Sequence, residues 1–261
     1  MGKRGTLEDF FLPSEKKSKT GDASAKDFPT SQLEYKEVAV NAPRGLSIIS
    51  NFVTLDEEKS ILAFLDAQTW RTDLSRRTMH FGGTFCLMPT KGCTAEERKK
   101  IEQTILQAPI MPDELRFVVD RMVDQDLYQD DCPPDYCIVN EYLPGQGISA
   151  HVENFRFGEP VCSLTLVGQD TMRFHELETA HDGSVRSGKA SSAPRTGRRE
   201  DVVMDKRSLL ILRGDARSTW QHEIRRTSAS SKPLGWRRVS LTFRTDRRAG
   251  LKDDGRQKQG P

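Results

Sequence analysis

Short runs rich in β-branched and aromatic residues dominate the chain from Tyr136 onward, and Gly and Pro residues separate them. No helical pattern intervenes, so the spacing predicts an antiparallel sandwich or jelly roll rather than alternating strands and helices. The predicted strands are 136–142, 161–167, 171–175, 208–212, 219–224 and 238–244.

Three helices are predicted before this region, each from a signal at its N-terminus. Thr54-x-x-Glu57 and Thr94-x-x-Glu97 are capping boxes. Pro112, followed by an acidic residue, begins the third helix. Its apolar residues recur at helical spacing and predict a core stripe of Leu115, Val118, Val119, Met122 and Val123.

These elements predict a mainly β domain with flanking helices, of the α+β class, over residues 45–248. A strand at 45–53 leads into the first helix, and 70–90 is predicted as strand, loop and strand. Segments that are polar and poor in aliphatic residues predict disordered tails and a flexible insert. They are 1–34, 249–261 and 179–200.

Composition excludes several classes of protein. With 40 basic and 38 acidic residues the net charge is +2, so any basic surface for nucleic acid must be local. Five cysteines without a C-x-x-C pair favour a reducing compartment over a disulfide framework or a zinc site. No segment approaches the ~20 apolar residues of a membrane span, so we expect a soluble intracellular monomer without a membrane partner.

His151 and Glu153 lie two residues apart, so a strand would place both side chains on one face. About seventy residues later, His222 can complete a set of two imidazoles and one carboxylate. That set is the facial triad of non-haem Fe(II) oxygenases, which leaves positions open for a co-substrate and O2. His80, His175 and His181 lack such a setting and are predicted not to bind metal.

Arg238 and Arg244 are six residues apart and therefore share a strand face. Two guanidiniums on one face suit a dicarboxylate such as 2-oxoglutarate. Asn140 and Tyr142, again two residues apart, can donate hydrogen bonds to the same ligand. The sequence leaves open which guanidinium meets which carboxylate.

The conjunction of these motifs resembles the AlkB-like Fe(II)/2-oxoglutarate dioxygenases over residues 45–248. The resemblance implies a double-stranded β-helix (jelly roll) core with N-terminal helices and a substrate lid. It also implies Fe(II) held by His151, Glu153 and His222. It places 2-oxoglutarate among Asn140, Tyr142, Arg238, Ser240, Thr242 and Arg244. The family usually has Asp where this chain has Glu153, which is one methylene longer and can still ligate.

A cluster of cations and aromatics at Arg76, Arg77, His80 and Phe81 resembles the family's nucleotide-recognition lid. Cations there would meet phosphates, and an aromatic ring or His would stack on an extruded base. A solvated hairpin with exposed arginines is the alternative. The predicted insert carries further basic residues, which are either phosphate contacts or a solvated linker: Lys189, Arg195, Arg198 and Arg199.

The N-terminal tail carries Leu7, Phe10 and Phe11, which resemble a sliding-clamp-binding box. Arg4 stands where that box usually has Gln, and a chance match is the alternative. The basic residues at 16–19 resemble a weak nuclear-import signal. We therefore expect a nuclear protein, with the cytoplasm as a second location.

The leading functional prediction is oxidative dealkylation of nucleobases in nucleic acid, with DNA repair favoured by the clamp-like tail. An RNA-modifying enzyme is the first alternative, since His80-Phe-Gly and the segment 144–148 resemble a family member that hydroxylates a tRNA wobble uridine. The second alternative is a non-catalytic clamp- or nucleic-acid-binding protein whose iron site has decayed at Glu153.

Overall fold

The computed structural model describes residues 33–86, 94–103, 105–178 and 193–246. Four α-helices occur in this part of the chain: α1 (Leu55–Asp66), α2 (Ala95–Gln103), α3 (Asp113–Asp124) and α4 (Gly214–Ser218). A single 3-10 turn is described at Ala229–Ser231. The strands are β1 (Glu34–Lys36), β2 (Leu46–Ser50), β3 (Arg77–Phe81), β4 (Thr84–Cys86), β5 (Ile105–Gln107), β6 (Tyr136–Tyr142), β7 (Ile148–His151), β8 (Val161–Leu166), β9 (Asp170–Leu177), β10 (Arg195–Met204), β11 (Leu209–Leu212), β12 (Trp220–Ile224) and β13 (Arg238–Arg244).

Two antiparallel sheets form the body of the fold. The larger has seven strands in the order β1-β2-β11-β8-β13-β6-β3, and the smaller has four in the order β10-β9-β12-β7. A further hairpin pairs β4 with β5. Apart from the consecutive pairs β1-β2 and β9-β10, the neighbours in these two main sheets are not consecutive in the chain, which is the connectivity of a jelly roll. The predicted mainly β fold with flanking helices is therefore confirmed.

The interior strand β13 is buried along its whole length, yet its two faces differ in chemistry. Val239, Leu241 and Phe243 are apolar and join the core that packs against α1 and α3. The alternate residues are polar or charged and face the smaller sheet. A row of polar groups buried on one strand face is costly unless they bind something, so this face locates the site.

The helices begin where their sequence signals predict. The Thr54 hydroxyl accepts from the N–H of Glu57 at 3.2 Å, and the Glu57 carboxylate accepts from the N–H of Thr54 at 2.8 Å. Thr94 and Glu97 make the same reciprocal pair at the start of α2. The predicted stripe on α3 packs into the core, where Leu115, Val118 and Met122 are fully buried.

Two predicted boundaries are wrong. The tail was predicted to reach residue 34 and the domain to start at 45, but Glu34–Lys36 pairs with β2 as an edge strand. The insert was predicted to reach 200, but residues 195–200 form the first half of β10 and pair with β9. This half is exposed to solvent, so it has no apolar alternation to mark it as a strand.

Some predictions lie outside the described residues, among them the clamp-like Leu7, Phe10 and Phe11, as well as His181, Lys189 and the C-terminal tail. Among the described residues, none of the helices has the length and hydropathy that crossing a bilayer requires.

Candidate active site

A cavity between the two sheets is lined by all nine residues that the sequence predicts to bind metal and co-substrate. The larger sheet contributes its polar face through β6 and β13, and the smaller sheet contributes β7 and β12. Among the lining residues are His151, Glu153, His222, Asn140, Tyr142, Arg238, Ser240, Thr242 and Arg244. Apolar side chains close the remaining walls, including Val161, Met172, Leu210, Leu212 and Ile224.

Register brings the polar residues together. In the pairing of β13 with β6, Arg238 lies opposite Tyr142, and Ser240 lies opposite Asn140. Because side chains of directly opposed residues project to the same face, the two polar rows form one surface. Even spacing within each strand and the register between the two strands together place both rows in the cavity.

Two histidines and one glutamate meet at the other wall. His151 on β7 and His222 on β12 are register partners, and their ring centroids are 4.4 Å apart. Glu153 follows just after the end of β7, and one donor atom from each of the three residues lies within 4.8 Å of the others. Within the described chain this is the one group of three such ligands.

The hydrogen bonds of the two histidines suit metal binding. Nδ1 of His151 lies 2.8 Å from the carbonyl oxygen of Ser149, so this nitrogen donates and Nε2 keeps a free lone pair. Burial, together with His222, lowers the pKa of His151 to about 4, which keeps the ring neutral. In His222, Nδ1 is buried without a hydrogen-bond partner among the described residues. Two imidazoles beside a carboxylate therefore form a donor set that fits Fe(II).

Glu153 is held in place by the fork of Arg244. Nε and Nη2 of Arg244 donate to the two carboxylate oxygens at 2.9 and 3.1 Å. Burial would raise the pKa of Glu153, but Arg244 and His222 outweigh it and hold the carboxyl far below its ordinary pKa. Glu153 is thus an oriented anion, and its Oε1 lies 3.5 Å from Nε2 of His222. The guanidinium fixes the end of a side chain that is one methylene longer than Asp.

Arg238 is a cation with no anion beside it in the described part of the chain. It is 1% exposed, and its Nη2 donates to the hydroxyl of Thr165 at 2.9 Å and contacts the sulfur of Met204 at 3.3 Å. Nε and Nη1 have no hydrogen-bond partner there. Burial lowers the pKa of this guanidinium. A buried fork with two unused donors fits an incoming carboxylate, which 2-oxoglutarate would supply.

Asn140 and Tyr142 lie beside this cation. The Tyr142 ring lies 5.4 Å from the guanidinium carbon of Arg238, and burial raises the pKa of its phenol, which therefore stays a donor at neutral pH. Nε of Arg76 donates to Oδ1 of Asn140 at 2.7 Å, which leaves the Asn140 nitrogen for a ligand.

The structure divides the four residues predicted to contact substrate. Arg76 reaches Asn140, and its guanidinium carbon lies 5.9 Å from the Tyr142 ring, so it borders the cavity. His80 lies on the same side of the sheet as Arg76. Burial, together with the positive charge of Arg71, lowers the pKa of His80 to about 4. Arg77 instead projects from the opposite face, where it pairs with Glu141 and covers Trp70.

Phe81, one of the candidate substrate contacts, does not face the cavity, so that candidate is wrong. The ring is 7% exposed and belongs to the core on the helical side of the sheet, with its centroid 6.2 Å from that of Phe64. The cause is strand parity, since Phe81 lies two residues from Met79, which is also in the core.

Two supporting residues were not predicted for their observed roles. Thr165 accepts a hydrogen bond from Arg238. The sequence signal for this role was that Thr165 and Ser163 are two residues apart on β8 and so share a strand face. Arg217 is 3% exposed and donates to backbone carbonyls between residues 154 and 158, so it supports the segment after Glu153. A single Arg in the short helix α4 carries no periodic pattern that would have predicted this. His175, predicted not to bind metal, lies 2.9 Å from Glu223.

Comparison with known proteins agrees with this geometry. The family model described as "2OG-Fe(II) oxygenase superfamily" matches residues 45–244. The "Alkylated DNA repair protein ALKBH8 homolog" of Arabidopsis thaliana is 27% identical over 71% of this chain and 51% of its own. The "tRNA (carboxymethyluridine(34)-5-O)-methyltransferase alkbh8" of Xenopus tropicalis is 27% identical over 72% of this chain and 26% of its own. The chain thus spans about half of the plant relative and about a quarter of the frog relative.

Among solved structures, OsALKBH1 superposes with a TM-score of 0.50 at 17% identity. The match covers 77% of this chain and 97% of that one. At this identity the likeness concerns the fold.

Proposed function

Because the chain belongs to the 2OG-Fe(II) oxygenase superfamily and is an AlkB-like 2-oxoglutarate-dependent dioxygenase, we propose that it removes N-alkyl groups from nucleobases in DNA. The observation that carries the proposal is the pairing of a buried His-Glu-His donor set with the unpaired cation Arg238 across one cavity. Fe(II) and 2-oxoglutarate are the co-reactants that the family implies.

His151, Glu153 and His222 would hold the iron, and Arg238 would take one carboxylate of 2-oxoglutarate. Bound together, iron and 2-oxoglutarate would let O2 oxidise a substrate C–H bond, with release of succinate and CO2. Arg244 keeps Glu153 ionised and oriented. The ion pair thereby restricts the rotamers of a side chain that is one methylene longer than Asp. Tyr142 and Asn140 would donate hydrogen bonds to the bound co-substrate.

The substrate step balances without a further co-reactant. One oxygen atom enters an N-methyl group and gives N–CH2OH, while the other enters succinate. The C–N bond of the hydroxymethyl group then breaks, formaldehyde leaves, and the ring nitrogen is restored. Apolar side chains line part of the cavity in which this reaction would occur.

Two observations support DNA as the substrate. The plant relative is named as an alkylated-DNA repair protein. The N-terminal Leu7, Phe10 and Phe11 resemble a clamp-binding box, and a replication clamp would deliver the enzyme to nuclear DNA. The clamp partner and the nuclear location are part of the same proposal.

RNA modification is the second candidate, because the frog relative is named as a tRNA-modifying enzyme. The third hypothesis, a non-catalytic protein with a decayed iron site, is not retained. The chain belongs to an enzyme family. One donor atom of Glu153 lies within 4.8 Å of a donor atom of each imidazole, so the three side chains could bind one metal ion.

Mass spectrometry of matched oligonucleotides tests the proposal. N-methylated single-stranded DNA, duplex DNA and RNA of one sequence are incubated with the full chain, Fe(II), ascorbate and 2-oxoglutarate. The proposal expects loss of the methyl group from DNA at a higher kcat/KM than from RNA. Faster turnover of the RNA would favour the second candidate, and an unchanged mass in every arm would contradict nucleobase dealkylation.

A further inference from the structure

A tight turn follows Glu153, and a buried arginine holds it. The N–H of Phe157 donates to the Asn154 carbonyl at 3.1 Å, and the Asn154 side chain accepts from the N–H of Arg156 at 3.0 Å. Arg217 donates to the carbonyls of Asn154 at 3.0 Å and of Phe157. Since these carbonyls are satisfied by a group that is itself buried, the turn at 154–157 has a fixed backbone.

This turn lies at the edge of the candidate active site. The ring of Phe157 lies 5.3 Å from the guanidinium carbon of Arg244, the residue that orients Glu153. It also meets the ring of Tyr136 edge-on at 5.2 Å, and Tyr136 is the register partner of Arg244. Phe155 is two residues from Glu153, so their Cα atoms lie within about 7 Å of each other.

The tip of the turn presents an aromatic ring to solvent. Phe155 is 54% exposed, and it is the one phenylalanine among the exposed large hydrophobic residues whose side chains the structure describes. Arg156 beside it is half-exposed. Its Nε lies 3.8 Å from Oδ2 of Asp246, its Nη2 donates to the Tyr136 hydroxyl, and its guanidinium carbon lies 5.0 Å from the Tyr136 ring and 5.1 Å from the Phe157 ring. An exposed ring next to a cation is the combination that binds unstacked bases and their phosphates.

We propose that Phe155 is a stacking surface for an unpaired nucleobase of the substrate, with Arg156 next to its phosphate. The inference rests on the proposed nucleic-acid substrate. Because the backbone of the turn is already fixed, stacking would cost little further ordering. Stacking uses the face of the base, so this contact would confer little preference for one base over another.

The test combines binding and turnover on one N-methylated single-stranded oligonucleotide. Fluorescence anisotropy gives Kd, and formaldehyde release gives KM and kcat, for the wild type, Phe155→Ala, Phe155→Trp and a control. The control is Ile110→Ala, which shortens an apolar side chain that is 84% exposed on another segment. Melting temperatures with and without 2-oxoglutarate report whether each variant folds.

Because Phe155→Ala removes the ring on which one base would stack, we expect it to raise Kd and KM by roughly 5- to 150-fold. Phe155→Trp should restore both values, and Ile110→Ala should match the wild type. Equal Kd and KM for Phe155→Ala and the wild type would overturn the inference, as would a defect that Trp does not repair. If the wild type binds but dealkylates nothing, the proposed function fails, while the binding arm still decides the role of Phe155.

Discussion

Replacing Arg238 with Met should weaken co-substrate binding and at the same time stabilise the free protein. In the described structure, Nε and Nη1 of this buried guanidinium have no partner. At a low-end cost of about 1 kcal/mol for each stranded group, their removal should add about 2 kcal/mol of stability. For a domain of this size that is a rise of about 4–8 °C in melting temperature.

The opposite effect is expected on 2-oxoglutarate. In the variant, the carboxylate of 2-oxoglutarate would be buried beside Met instead of a cation. The free energy of binding should therefore weaken by about 2–5 kcal/mol, or about 30- to 5,000-fold in affinity. Calorimetric titration with Mn(II) as a metal that does not turn over gives the affinity. Thermal melts with and without 2-oxoglutarate give the stability.

Arg237→Met is the matched control, because Arg237 lies one residue away on the opposite strand face. It pairs with both oxygens of Asp66 at 3.0 and 2.9 Å and lies 3.3 Å from the buried Glu141. Its loss should lower the melting temperature and leave 2-oxoglutarate affinity near the wild-type value. If Arg238→Met melts below the wild type without ligand, or binds 2-oxoglutarate normally, the assignment of Arg238 is refuted.

Three further variants, the last of them a double one, test the metal ligands, the role of Arg244 and the tail motif. His222→Ala should abolish Fe(II)-dependent succinate formation, and undiminished turnover would remove the proposed triad. Arg244→Ala should raise the concentrations of Fe(II) and 2-oxoglutarate needed for half-maximal turnover by roughly tenfold or more, because Glu153 loses its buried ion-pair partner. Unchanged concentrations would contradict that role of Arg244. Replacing Phe10 and Phe11 together with Ala should eliminate sliding-clamp binding in a pull-down, and equal capture would dismiss the tail motif.

The polar face of β13 was predictable because strand geometry converts even spacing into a shared face. Even spacing predicted one shared face for Arg238 and Arg244 and another for Asn140 and Tyr142, while the family resemblance supplied Ser240 and Thr242. Helix starts were equally accessible, since a capping box is a local hydrogen-bond pattern that depends on two side chains.

Other features depended on contacts that a sequence does not encode locally. The partner of Arg244 could not be predicted, because Glu153 lies after the end of β7 and 91 residues away along the chain. The exposed half of β10 lacks apolar alternation, so edge pairing with β9 gives it its structure. Phe81 was misplaced for a different reason, since the parity it shares with Met79 was available and pointed to the core.

We propose that this cavity couples 2-oxoglutarate oxidation to removal of an alkyl group from DNA. Measuring succinate and formaldehyde together, on N-methylated single-stranded DNA, tests it most directly. We expect both products in near-equal amounts with the wild type and neither with His222→Ala. Succinate formation that methylated DNA does not stimulate, with no formaldehyde released, would contradict it.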